Sequence, residues 1–130
     1  MKLINKRSLS GCLVVIILLV GTALAWASFE FGYMPRASFD VDKWKLSEDT
    51  KSHPRLTMVD SLIESGLLDG KSREDVFTLL GHPPETGYFR DWDAVYWLGP
   101  ERGFIRIDSE WLVIRFDDAG RVSEYQLMRD

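Results

Sequence analysis

The sequence predicts an α+β domain, two short helices packed on a three-stranded antiparallel β-meander, preceded by an N-terminal hydrophobic helix. Three observations predict it. Residues 71–84 (KSREDVFTLLGHPP) read as a helix with its own start and stop. A second short helical pattern precedes them at about residues 57–65. From Asp93 onward the chain reads as strands separated by Gly-containing turns. Helices this short are unstable alone and need a sheet to lie on, and this element order puts both on one sheet face.

The N-terminal element comes first. Residues 12–25 (CLVVIILLVGTALA) are almost wholly apolar, stand behind Lys2, Lys6 and Arg7, and meet no acid before Glu30. This is the pattern of an export signal or a membrane anchor. Ala25-Trp26-Ala27 has the small-x-small form of a cleavage site, which would leave a mature chain starting at Ser28. Alternatively the run from Cys12 to about Phe29 stays in the membrane, since roughly 17–25 apolar residues suffice to span it. Bulky apolar residues almost to Ala27 favour the anchor. The expected location is therefore the inner membrane with the domain facing the periplasm, or secretion after cleavage at Ala27.

Domain organisation follows: residues 1–27 as signal or anchor, 28–55 as a juxtamembrane linker, 56–130 as the α+β domain. Without residues 1–27 the chain keeps thirteen Lys+Arg against twenty Asp+Glu, a net charge of −7. Such a domain repels nucleic acid and anionic lipid. The single cysteine, Cys12, sits in Leu9-Ser10-Gly11-Cys12, which looks like an acylation box. It precedes the apolar run, whereas acylation boxes follow one. The exported part has no cysteine, so no disulfide supports its core.

In the linker, Phe29, Phe31, Tyr33, Phe39 and Trp44 alternate with Pro35, Asp40 and Asp42 without a sustained period. The expectation is a spacer with at most one ordered turn, its aromatics anchoring at the membrane interface or packing loosely. In the first domain helix, Thr57 and Asp60 offer a capping box. Met58 or Val59, Leu62 and Ile63 form its buried stripe, and Gly66 ends it. Leu67 and Leu68 plug the corner, and Asp69-Gly70 makes the turn. In the second helix Ser72 is the N-cap with Asp75 as its partner, and Val76, Leu79 and Leu80 make the apolar stripe. Gly81 takes a left-handed C′ position, and Pro83 and Pro84 cannot continue the helix.

Asp93 to Leu98 is rich in strand formers. Residues 99–103 (GPERG) read as a loop, and Phe104 to Ile107 as a strand extension or a short bridge. Glu110 to Phe116 is the clearest strand, with Leu112, Ile114 and Phe116 on one face and Trp111, Val113 and Arg115 on the other. Asp117-Asp118-Ala119-Gly120 is a hairpin turn, and Arg121 to Met128 the last strand.

These residues resemble a known family. Gly70-Lys71-Ser72 followed by Val76, Leu80-Gly81 and Pro83, the paired aromatics Tyr96-Trp97, and LVIRFDDAGRV over 112–122 are similar to the SmpA/OmlA (BamE-like) domain across about residues 56–130. The resemblance implies a two-helix, three-strand layered fold and a non-catalytic role in the cell envelope. In its best-known members that role is support of the outer-membrane barrel-assembly machine. Those members are lipoproteins, whereas this chain lacks a usable acylation cysteine. Protein inhibitors of β-lactamase share the fold, so fold alone does not choose the partner.

Candidate chemistry is sparse. His53 and His82 are the only histidines, too few for a zinc set unless carboxylates complete it. Asp91, Asp93, Glu101, Asp108 and Glu110 crowd the strand ends. They read as solvated acids, some paired with Arg90, Arg102 or Arg106, rather than as a glycosidase pair or a calcium loop. No nucleophile elbow, phosphate loop or dinucleotide fingerprint occurs. The expectation is a protein without catalysis, cofactor or metal.

The remaining constellation is aromatic: Trp92, Tyr96, Trp97, Phe104, Trp111 and Tyr125. Two short helices cover one sheet face, so alternation puts some of these rings on the other. They pack under loops or the 28–55 segment, or they form a patch for a protein partner, as aromatics with Arg mark interface centres. Trp97, Glu101, Arg102, Phe104 and Trp111 are the expected protein-binding residues, with Arg102 reaching a partner carboxylate as a bidentate fork. The expected function is binding of another envelope or membrane protein by a membrane-tethered domain. The alternative is a small periplasmic ligand-binding, inhibitor-like or hydrolytic domain using the strand-end acids and aromatics.

Overall fold

In a computed structural model the chain is described over residues 6–30, 35–46, 52–103 and 105–130. It divides into two units, Met1–Tyr33 and Met34–Asp130. The first holds helix α1 (Lys6–Glu30). Among the described residues no helix is long and apolar enough to cross a membrane.

The second unit is α+β. Helices α2 (Val41–Leu46), α3 (Pro54–Glu64) and α4 (Arg73–Leu80) precede strands β1 (Ala94–Pro100), β2 (Ser109–Phe116) and β3 (Val122–Arg129). The strands form one open antiparallel sheet in the order β1-β2-β3. Its inner face supplies Tyr96, Leu98, Leu112 and Ile114 to a core completed by Leu56, Leu62, Val76 and Leu80 from the helices.

Two helices were expected in this unit and three are present among the described residues. Residues 35–46 belong to the domain rather than to a spacer. Asp40 starts α2 by accepting from the Lys43 N–H at 2.9 Å, and Trp44 is fully buried in the core, 5.7 Å from the Phe39 ring. The Ala37 N–H donates to the Thr57 carbonyl at 2.9 Å. A six-residue helix shows no periodicity to read, and the force that orders it is burial of one indole. Phe31, Tyr33 and residues 47–51 lie outside the described residues.

The α3 start also differs. The helix begins at Pro54, with His53 at φ 43° and no side-chain cap. Pro at the first helical position needs no N–H and presets φ, so this start prevails over the expected Thr57–Asp60 box. Thr57 Oγ1 instead donates back to the Pro54 carbonyl at 2.7 Å. Leu68 plugs the corner as expected, whereas Leu67 is exposed.

Helix α4 follows the sequence closely. Ser72 Oγ accepts from the Asp75 N–H at 3.1 Å, and Val76 and Leu80 are buried. Gly81 is the C-cap itself, at φ 84° and ψ 167°, a region favouring glycine but not the left-handed helical one. The α4 start is stitched to the hairpin, since the Arg73 N–H donates to Gly120 O and the Val122 N–H to Lys71 O. In that hairpin Asp117 Oδ1 accepts from the N–H groups of Ala119 and Arg121, both at 2.9 Å.

Strand β1 runs on through Gly99 and Pro100, which were expected in a loop, by means of a register shift between Trp97 and Gly99. Gly99 sits at φ 146°, and a Cβ there would lie 2.7 Å from Leu56 Cδ1. The close approach of α3 therefore requires glycine. Residues 105–107 form no strand.

Candidate functional site

Strand β2 is buried on both faces. Leu112, Ile114 and Phe116 face the helices, whereas Trp111 and Val113 join Val95 in a second apolar cluster on the outer face. The cross-strand pairs Val95↔Val113, Trp97↔Trp111 and Trp111↔Met128 align this cluster.

The outer cluster is covered by residues 83–92. Tyr88 lies 5.0 Å and Phe89 6.1 Å from the Trp111 ring. Trp92 carries the Arg115 guanidinium 4.3 Å from its ring centre, and Arg115 pairs with Glu124 at 3.3 Å. An open cleft of about 640 Å³ runs beside this segment, lined among others by Pro83, Arg90, Trp92 and Val95.

Four of the five expected binding residues fall into two settings. Trp97 and Trp111 are register neighbours on the outer face, Trp97 half-buried and edge-on to His53 at 5.3 Å, Trp111 only 7% exposed. Glu101 and Arg102 belong to an ionic network at the far end of the sheet. Arg102 donates to Glu110 Oε2 at 2.8 Å and to Asp60 Oδ2 at 2.8 Å, and its backbone N–H donates to Glu110 Oε1 at 2.8 Å. Arg129 reaches Glu101 at 2.6 Å and Glu110 at 3.7 Å. Phe104 lies outside the described residues.

The Arg102 fork is thus already committed within the chain, which corrects the expectation that it reaches a partner carboxylate. Burial pulls its pKa down, but its hydrogen bonds to Glu110 and Asp60 and their negative charges outweigh that and raise it. Arg102 is the expected partner of a strand-end acid, and Glu110 is that acid. Asp93 pairs instead with Arg73 at 3.3 Å and caps the Phe116 N–H at 2.8 Å, while Glu101 takes Arg129. His82 stacks on Phe77 at 4.9 Å. Among the described residues no group of three or more His, Cys, Asp or Glu is placed to hold a metal ion.

Two features escape sequence reading. Buried Arg55 donates from Nε to the Trp44 carbonyl at 3.0 Å and lies 5.4 Å from that indole, holding α2 to α3. The Tyr96 hydroxyl crosses the core to the Gly81 carbonyl at 2.7 Å. Burial raises the Tyr96 pKa, with nearby Arg55 opposing. Both are long-range contacts without local spacing; Pro54 at N1 was the only local sign that α3 starts early enough to include Arg55.

Compared with protein-family models, curated proteins and solved structures, the chain matches none of them.

Proposed function

We propose that this chain is a non-catalytic, membrane-tethered envelope protein whose exported domain binds another protein through the outer face of its sheet. The second apolar cluster carries the reading. The helices already bury one core, yet Trp111, Val113 and Val95 build another on the opposite face, with Trp97 half-buried at its margin. Aromatic residues are enriched at interface centres.

The hydrophobic N-terminal helix serves as the tether, on the strength of the apolar run 12–25 behind three basic residues. Occupation of Glu101 and Glu110 by Arg129 and Arg102 argues against spending these acids on hydrolysis. Binding without catalysis also agrees with what the SmpA/OmlA resemblance implies.

The test places a photocrosslinking amino acid at Trp97 in the full chain in intact cells, with Asp118 on the exposed hairpin as the control site. A discrete protein adduct at 97 and none at 118 is expected. Identical patterns at both sites would overturn the reading. The mass of the native N-terminus tests the tether separately, because a chain starting at Ser28 is released.

A further inference from the structure

Residues 83–92 form a strap fastened at its two ends. Before it, the Gly81 carbonyl accepts from the Tyr96 hydroxyl at 2.7 Å. After it, the Asp93 N–H donates to Ile114 O at 3.1 Å, and Asp93 Oδ2 accepts from the Phe116 N–H at 2.8 Å. Between these pins, the strap's hydrogen bonds among the described residues stay within it: Tyr88 N–H to Thr86 Oγ1, and Trp92 N–H to Phe89 O. Ring contacts hold its middle to the sheet, and the Arg115–Trp92 contact holds its last residue.

Two observations mark that closed position as costly. Phe89, which lies against Trp111, sits at φ 49°, where a bulky side chain is strained. Beneath it Trp111 Nε1 is buried and has no hydrogen-bond partner among the described residues. A buried donor without an acceptor is unfavourable.

We infer that the strap opens between its pins, and that the uncovered trough takes a partner segment presenting an apolar side chain and a backbone carbonyl, the carbonyl accepting from Trp111 Nε1. The apolar side chain replaces Tyr88 and Phe89 over Trp111 and Val113. The carbonyl satisfies the donor that the strap leaves unmet. The inference rests on the protein-binding reading above and adds to it the gate and the chemistry of the bound segment.

Hydrogen exchange on the full chain tests the opening. The buried Trp111 indole N–H should exchange about 100-fold faster than the backbone amides of Trp111–Arg115, through a local event independent of global unfolding. Exchange of the indole and these amides together, only on global unfolding, overturns the inference.

N-acetylphenylalanine amide tests the chemistry. It should move the Trp111 indole N–H resonance downfield, more so in Phe89→Gly, while toluene, which lacks the carbonyl, should not. Tyr88→Ala serves as a second uncovered variant should Phe89→Gly not fold. An indole proton that ignores the amide in the uncovered chain overturns the inference. A strap that opens and takes the amide while Trp97 gives no adduct in cells sinks the protein-binding reading alone. A specific adduct with a strap that never opens sinks the gate alone.

Discussion

Glu110, 1% exposed, accepts both the guanidinium and the backbone N–H of Arg102, eight residues earlier across the β1–β2 loop. One buried carboxylate thereby closes that loop and, through Arg102, fastens it to Asp60 on α3. Removing one member of a buried pair leaves the other uncompensated. Glu110→Leu should cost about 3–5 kcal/mol, read as a lower urea midpoint. Adding Arg102→Leu should deepen the loss rather than restore it, because Arg102 also holds Asp60 at 2.8 Å.

Alkaline pH should weaken the fold through two tyrosines. Burial raises the Tyr96 pKa, and the hydrogen bond to Asp69 raises that of Tyr125. The folded state therefore favours the neutral phenols. Their contribution is complete below the ordinary tyrosine value of 10.0 and is lost as pH rises toward the higher folded values. Melting temperature should fall as pH rises above about 10. Tyr96→Phe should cost about 1 kcal/mol at neutral pH and flatten the alkaline decline.

Trp44 should be indispensable although it lies far from the strands in sequence. It is fully buried and meets Tyr96 edge-on at 6.5 Å. Trp44→Ala should cost about 3–5 kcal/mol, measured by denaturant unfolding. A chain in which this segment were a mere spacer would lose almost nothing.

Gly99→Ala should be severe for a single methyl group. The added carbon would meet Leu56 Cδ1 at 2.7 Å and His53 side-chain atoms at 3.0 Å, on a backbone at φ 146°. A loss of about 2 kcal/mol or more is expected, visible in the melting temperature. Gly103→Ala, where a Cβ meets nothing within 4 Å, is the matched control.

Local signals made part of this fold legible. Ser72 and the spacing of Val76 and Leu80 announced α4, and strict alternation from Trp111 to Phe116 assigned both faces of β2 correctly. What escaped depends on distance in the chain. Trp44 owes its place to a core it shares with Leu56 and Tyr96, and nothing in residues 28–55 signals that. The expected capping box at Thr57 failed because Pro54, three residues earlier, supplies a better start. At the candidate site, the aromatic identities and their packing under a loop were legible, but not which loop. The strap has no period, and its placement over Trp111 rests on ring packing across more than twenty residues of chain.

Arg36 has a mechanical meaning. It grips Asp60 at 3.3 Å and Glu64 at 3.0 Å, one residue before the Ala37 N–H meets the Thr57 carbonyl. Tension arriving from the N-terminal side is therefore delivered to α3 across two ion pairs and one backbone hydrogen bond. Those clasps take the load before the strand ladder does, so pulling from that side should loosen residues 35–37 while the sheet holds.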